Sequence, residues 1–155
     1  MKWATRKNMK IDRMACVWLI CKYIDTNPEF IFVEESEIAA LTKQGVNTFD
    51  AEDSKFKHAE DTEGGKYGEK CTFQTMIDAY NLIDKDPVLK QMGQILFAAD
   101  IGHRLGVFEP REGFGLWALA KGFSITIPND EEKFRIALPL FDALYAYCED
   151  MEKDD

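Results

Sequence analysis

Apolar and polar positions fall into short blocks along the first third of the chain. Met1 to Thr5 reads as a first strand. A basic turn follows, and then Met14 to Cys21 is an unbroken apolar run. Such a run predicts a helix that is apolar on every face and buried on more than one side. Asp12 stands where a residue capping that helix would stand. Phe30 to Val33, after Pro28, predicts a second strand. Glu34 to Lys43 carries helical spacing through Ile38 and Leu41, and Gln44-Gly45 ends it. Val46 to Phe49 predicts a third strand closing at Asp50. Strand, helix, strand, helix, strand favours a small, mostly parallel sheet with right-handed crossovers.

The pattern then changes. Ala51 to Lys70 is polar, contains Gly64-Gly65 and Gly68, and reads as a long loop. Beyond it the periodicity is helical. A helix opens at Cys71 or Thr72 and runs to about Leu82. Another runs from Pro87 to about Ile101, with Pro87 in its first turn. Glu112 to Lys121 is a short helix ended by Gly122. Asn129-Asp130 caps a last helix from about Glu131 to Cys148, which Pro139 is expected to kink or split. The expected fold class is therefore α/β (α+β), with a small parallel sheet in the N-terminal half and a largely helical C-terminal half. One domain is expected over 1–148, with 149–155 as a solvated acidic tail.

Several residues carry chemistry in this frame. Arg6 and Arg13 sit where the basic turn meets the start of the buried helix, and helix amides there also favour anions. The pair has the fork geometry to grip an oxyanion, as cofactor-like binding residues. The competing reading pairs each arginine with Asp12, Asp50 or Asp100. There are two histidines, His58 in the polar loop and His103 three residues after Asp100. Asp100 and His103 share a helix face at that spacing. Asp50, His58, Asp100 and Glu112 together suit a divalent metal such as zinc, iron or manganese, although no spacing here is diagnostic. His103 reads more simply as a helix-terminal histidine. Asp100 closes an apolar run, so it needs a cationic partner or a catalytic use. Cys71, at a loop-to-helix junction, is the better redox candidate, because a helix N-terminus lowers a thiol's pKa. Cys16 sits among apolar neighbours and reads as packing.

Composition narrows the classes. The chain has 155 residues and a net charge of -9, from 28 acidic and 19 basic residues, which argues against a nucleic-acid binder. No run reaches the ~20 apolar residues of a membrane span. Four cysteines without a CxxC pair point to a reduced, cytoplasmic setting.

The order of short motifs carries a family resemblance. Trp3-x-Thr5-Arg6 and Ile11-Asp12-Arg13-x-Ala15-Cys16-x-Trp18-Leu19-Ile20 resemble the opening of the chromate-resistance protein family, specifically the C-terminal domain of chromate-resistance protein B. Phe49-Asp50, Phe56-x-His58, Cys71-Thr72-Phe73, Ala98-Ala99-Asp100, Glu112-x-x-Gly115-Leu116 and Phe141 to Tyr145 follow in the family's order. The resemblance spans Trp3 to Tyr147. It implies a part in chromate response, a stress response, by sensing or by supporting detoxification. Chromate, sulfate or phosphate would be the small partner, and a homodimer or a regulatory protein partner stays open. Two other classes compete: a small metal-dependent enzyme acting on an anionic substrate, and a non-catalytic interaction domain whose arginine–acid pairs merely hold the fold.

Overall fold

The computed structural model describes residues 1–62 and 67–154. Strand β1 (Lys2–Arg6) forms the centre of a parallel sheet, between β2 (Glu29–Val33) and β3 (Asn47–Thr48). The α/β expectation holds. Trp3, Ala4 and Thr5 are fully buried in this central strand. The third strand is shorter than the sequence suggested. The chain pairs once more at Phe49 with Phe56 and then turns at Asp50, whose φ is +60°. Aspartate tolerates that left-handed conformation better than most residues.

Helix α1 (Ile11–Leu19) follows β1, and all nine of its residues are buried. It runs on into a π-helical turn, Ile20–Ile24. The short α2 (Ile38–Lys43) connects β2 to β3. Helices α3 (Thr72–Ala79), α4 (Leu82–Lys85) and α5 (Val88–Phe97) come next. A second π-helical turn, Ala98–Gly102, leads into α6 (His103–Leu105), and α7 (Glu112–Thr126) and α8 (Asp130–Lys153) complete the chain. Helix α1 packs against α3, α5, α7 and α8 as well as the sheet side of the core. This encirclement is why its sequence is apolar on every face.

Several boundaries differ from the sequence reading. Asp12 does not cap α1; Lys10 occupies that position, and no side chain caps the helix. The Asp12 carboxylate instead accepts the backbone N–H groups of Thr72 (2.9 Å) and Phe73 (3.1 Å), so it caps α3 from a distance in sequence. The segment expected as a loop contains an antiparallel pair, β4 (Ala59–Glu60) with β5 (Glu69–Lys70); Gly64-Gly65 lie outside the described residues. The helix from Cys71 stops early because Asn81 takes a left-handed conformation, φ +51°. Helix α7 passes Gly122 and continues to Thr126. Pro139 neither splits nor ends α8; it lies on the exposed side, where water can take up the carbonyl freed four residues earlier. Residues 149–153 belong to that helix instead of forming a loose tail.

Candidate functional site

The polar residues converge beyond the carboxyl ends of β1 and β3, the edge at which open α/β sheets form their ligand sites. Arg6 ends β1, and Asp50 follows β3. Asp12 and Arg13 lie in the first turn of α1, and Thr72 opens α3. His58 directly precedes β4. Asp100 comes from the π-helical turn after α5. That turn is pinned by α7, since Gly113 lies so close to Ala98 and Ala99 that no Cβ would fit there. Irregular helical turns of this kind recur at functional sites.

One nitrogen is the focus. His58 Nε2 lies 3.3 Å from Asp12 Oδ2, 3.4 Å from Asp50 Oδ1 and 3.1 Å from Asp100 Oδ2. A single N–H can serve only one of three carboxylates well. The consequence is visible at Asp100. Its Oδ2 is buried and receives no hydrogen bond of good geometry, despite its distance to the imidazole. Asp12 is 1 % exposed, and Asp12, Asp50 and His58 each present a ligand atom within 4.8 Å of the others. Three carboxylate oxygens and an imidazole around one small space form a donor set for a divalent first-row cation or a close relative.

The electrostatics express the same crowding. Burial, and next the charge of Asp100, push the Asp12 carboxyl up to about 7. The three acids, Asp100 foremost, push the His58 imidazolium up to about 12. Asp50 goes the other way. Burial would raise it, but His58, the Thr72 hydroxyl (2.8 Å) and Arg13 together hold its carboxyl below the ordinary range. Without a bound cation, then, a proton on the imidazole and a share of one on Asp12 offset the carboxylate charge.

The two arginines have separate tasks. Arg13 is 5 % exposed. Its guanidinium donates to the carbonyls of Arg6 (2.9 Å), Lys7 (3.2 Å) and Asn8 (3.1 Å), and its Nε faces Asp50 at 3.2 Å. It pins the basic turn and neutralises Asp50. Arg6 is the more open of the two. Its Nε donates to the Asp50 carbonyl (3.0 Å), and its outer nitrogens lie 3.8 Å from Glu35 and 3.5 Å from Asp50. With Glu35, Glu52, Lys57 and His58 it lines a cleft at the mouth of the cluster.

The remaining candidates fall elsewhere or behave differently. Glu112 begins α7, accepts a hydrogen bond from the Tyr147 hydroxyl (2.9 Å), and is not among the residues grouped around His58. Cys71 is fully buried at the N-terminus of α3. Burial, then the charges of Asp12 and Asp100, push its thiol well above the ordinary range, opposite to the lowering expected from a helix N-terminus. Cys16 is likewise buried with its thiol pushed up, as packing implies. His103 joins Nδ1 to the Ala99 carbonyl (3.0 Å) and stacks on Trp117. It lines a different cleft from His58, one it shares with Asp100. Asp12 is the member of this cluster that sequence reasoning did not name as a candidate ligand. Its signal was present: a carboxylate inside the first turn of a helix with no polar face must point into the protein.

A family profile described as "ChrB, C-terminal domain" matches residues 3–148. The chain is also similar to Protein ChrB of Cupriavidus metallidurans, 27% identical over 146 residues that make up 94% of this chain. The match spans 40% of that relative's length. No solved structure matches the chain. No described helix is long and apolar enough to cross a membrane.

Proposed function

Because the chain belongs to the ChrB C-terminal domain family, we propose that it serves chromate response through a divalent-cation site formed by Asp12, Asp50, His58 and Asp100. The observation that carries this reading is the convergence of three carboxylate oxygens on His58 Nε2 at 3.1–3.4 Å. The donors fit manganese, iron or zinc, being mostly hard oxygen with one imidazole. A bound cation would supply positive charge and Lewis acidity at this point. Metal must displace the protons on His58 and Asp12, so its affinity rises with pH.

The oxyanion part of the role follows from the mouth. Arg13 is spent on backbone carbonyls, so the anion does not lie between Arg6 and Arg13. It meets Arg6 and Lys57, with Glu35 and Glu52 in the same cleft. Counting Asp50 and the His58 imidazolium, three acids face three bases in this cleft, which holds no anion strongly. Chromate, sulfate or phosphate therefore binds here only when the cation is in place.

The test is metal analysis of untagged protein, followed by calorimetric titration of chelated protein with manganese, iron(II) and zinc. We expect about one ion per chain, lost in His58→Ala. Chromate or sulfate should raise the melting temperature of the loaded protein and leave the chelated protein unmoved. Absence of metal in the purified protein together with no uptake by the chelated protein would refute the cation site. Equal oxyanion binding with and without metal would refute the coupling.

A further inference from the structure

A second cleft opens on the other side of Asp100. Its floor and walls include Ile11, Ala99, Ala120 and Trp117, with His103 and Ser124 among them. Ile125 stands on its lip, 78% exposed. Lys10 and Lys121 complete the lining. Neither lysine forms an ion pair among the described residues; Lys121 Nζ lies 5.2 Å from the centre of the Trp117 ring. In a chain of net charge -9, two unpaired cations on one apolar cleft are out of keeping with the rest of the surface. The only acid lining it, Asp100, turns its Oδ2 to His58 at 3.1 Å. The cleft is therefore locally basic.

Its shape restricts the anion. His103 and Trp117 stack on each other, with centroids 5.7 Å apart and planes at 23°, and together give the cleft an aromatic side. With Nδ1 on the Ala99 carbonyl, His103 keeps Nε2 as its free ring nitrogen. An inorganic oxyanion would use the lysines and leave the apolar lining wet. A neutral aromatic would cover the lining and leave the lysines idle. A flat organic acid satisfies both, its ring against the Trp117 side and its carboxylate between the ammonium groups. We propose that this cleft is a binding site for a small aromatic or heteroaromatic carboxylate, distinct from the cation site that borders it across Asp100. This inference does not rest on the metal reading.

Trp117 is its own reporter, since Trp3 and Trp18 are buried in the core. Benzoate is the probe, with benzyl alcohol and acetate as the ring-only and charge-only controls. Binding is followed by tryptophan fluorescence and by amide shifts of the lining residues in the intact chain. We expect benzoate to bind at least tenfold more tightly than either control. The Lys10→Gln/Lys121→Gln double variant should lose at least tenfold. Ser124→Trp, at an exposed helix position, should fill the cleft and abolish the benzoate-induced amide shifts with an unchanged melting temperature. Chelation should leave benzoate binding intact, even where cation binding fails. Equal affinity for benzoate and benzyl alcohol, undiminished binding in Ser124→Trp, or no binding of benzoate at all would each overturn the proposal.

Discussion

Two carboxylate sites in this domain are built on opposite principles. Asp86 accepts hydroxyl hydrogens from Tyr23 (2.8 Å) and Tyr145 (2.7 Å) on one oxygen, and the Val88 N–H (3.2 Å) on the other. One acid has three neutral donors and no competing acid among these partners. At the other site, three acids crowd one imidazole nitrogen, and a buried oxygen of Asp100 goes without a well-made hydrogen bond. The first arrangement is satisfied and needs nothing further. The second crowds three acids into a small volume and leaves both a buried acceptor, Asp100 Oδ2, and a buried donor, Arg13 Nε, without a well-made hydrogen bond. A folding chain gains nothing from such crowding, because an unmade buried hydrogen bond costs about 1–3 kcal/mol. The contrast separates a carboxylate that holds the fold from the carboxylates to which the proposed cation is assigned.

The largest expected effect breaks that contrast with one isosteric change made at both sites. Asp50→Asn keeps the size and the tolerance for φ +60° but removes the charge facing buried Arg13. Removing one partner of a buried pair costs about 3–5 kcal/mol. Loss of repulsion from Asp12 and Asp100 offsets part of this, so the lower end, about 3 kcal/mol, is expected in chelator. The carboxyl of Asp50 is held below its ordinary range, which means its attractive contacts already outweigh burial and repulsion. Asp86→Asn retains an acceptor oxygen for the phenols and should cost about 1 kcal/mol. Urea unfolding of both variants with chelator present decides it. Equal costs would mean that the acid cluster is an ordinary structural network.

Much of this was legible in the sequence. The βαβαβ order and the encircled helix follow from patterns in the chain, and Asp50, His58, Asp100 and the two arginines were named as candidates there, although no spacing brought them together. What was not legible depends on long-range geometry. The role of Asp12 is set by the amides of Thr72 and Phe73, about sixty positions away in the chain. Glu112 looked equivalent to Asp100 as an acid beside a helix, and only the packing of α7 sends it to Tyr147. The fate of Cys71 turned on burial. A helix N-terminus and low-dielectric surroundings act on a thiol in opposite directions, and local sequence does not say which prevails. Arg13 and Arg6 read alike as cations near a turn. Which one is consumed by backbone carbonyls depends on how the turn closes.

A second, intermediate effect sharpens the contrast through pH. His58 is raised from its ordinary range to about 12, so the stability it contributes is complete below about 6.5 and is lost as pH climbs toward 12. Asp12 is raised to about 7, so the fold also binds extra proton between about 4 and 7, and stability falls with pH across that window too. The metal-free domain should therefore melt at progressively lower temperature from about pH 4 upward. His58→Gln should remove the imidazolium's part of the slope, while Asp12, which His58 holds down, should titrate higher and carry the lower decline upward in pH. Loading with manganese or zinc should reverse the slope between pH 6 and 8, because the cation replaces the protons. Melting curves at several pH values, with and without chelator, give the answer. A flat profile in chelator would sink the account of the acid cluster.

The smallest effect belongs to the satisfied site and sets the baseline for the others. Burial, followed by contact with Asp86, raises the Tyr23 hydroxyl, and contact with Asp86 raises Tyr145 to about 12, so both phenols stay protonated across the accessible pH range. Tyr23→Phe removes one of two donors to the same oxygen. The second phenol and the Val88 amide remain, so the carboxylate is not orphaned, and the cost should be about 1 kcal/mol. Tyr145→Phe should cost a similar amount. The double variant leaves Asp86 with the Val88 amide alone and should exceed the sum of the two, since residues sharing one acceptor are coupled. None of the three should change metal stoichiometry or the pH slope, because both phenols donate to Asp86 and to none of the acids around His58. A double-mutant cycle read by urea unfolding, with metal content measured beside it, makes the comparison quantitative. A shift in metal content on removing either phenol would show that the two carboxylate sites are joined through α1, and that the division between holding the fold and holding a ligand is drawn in the wrong place.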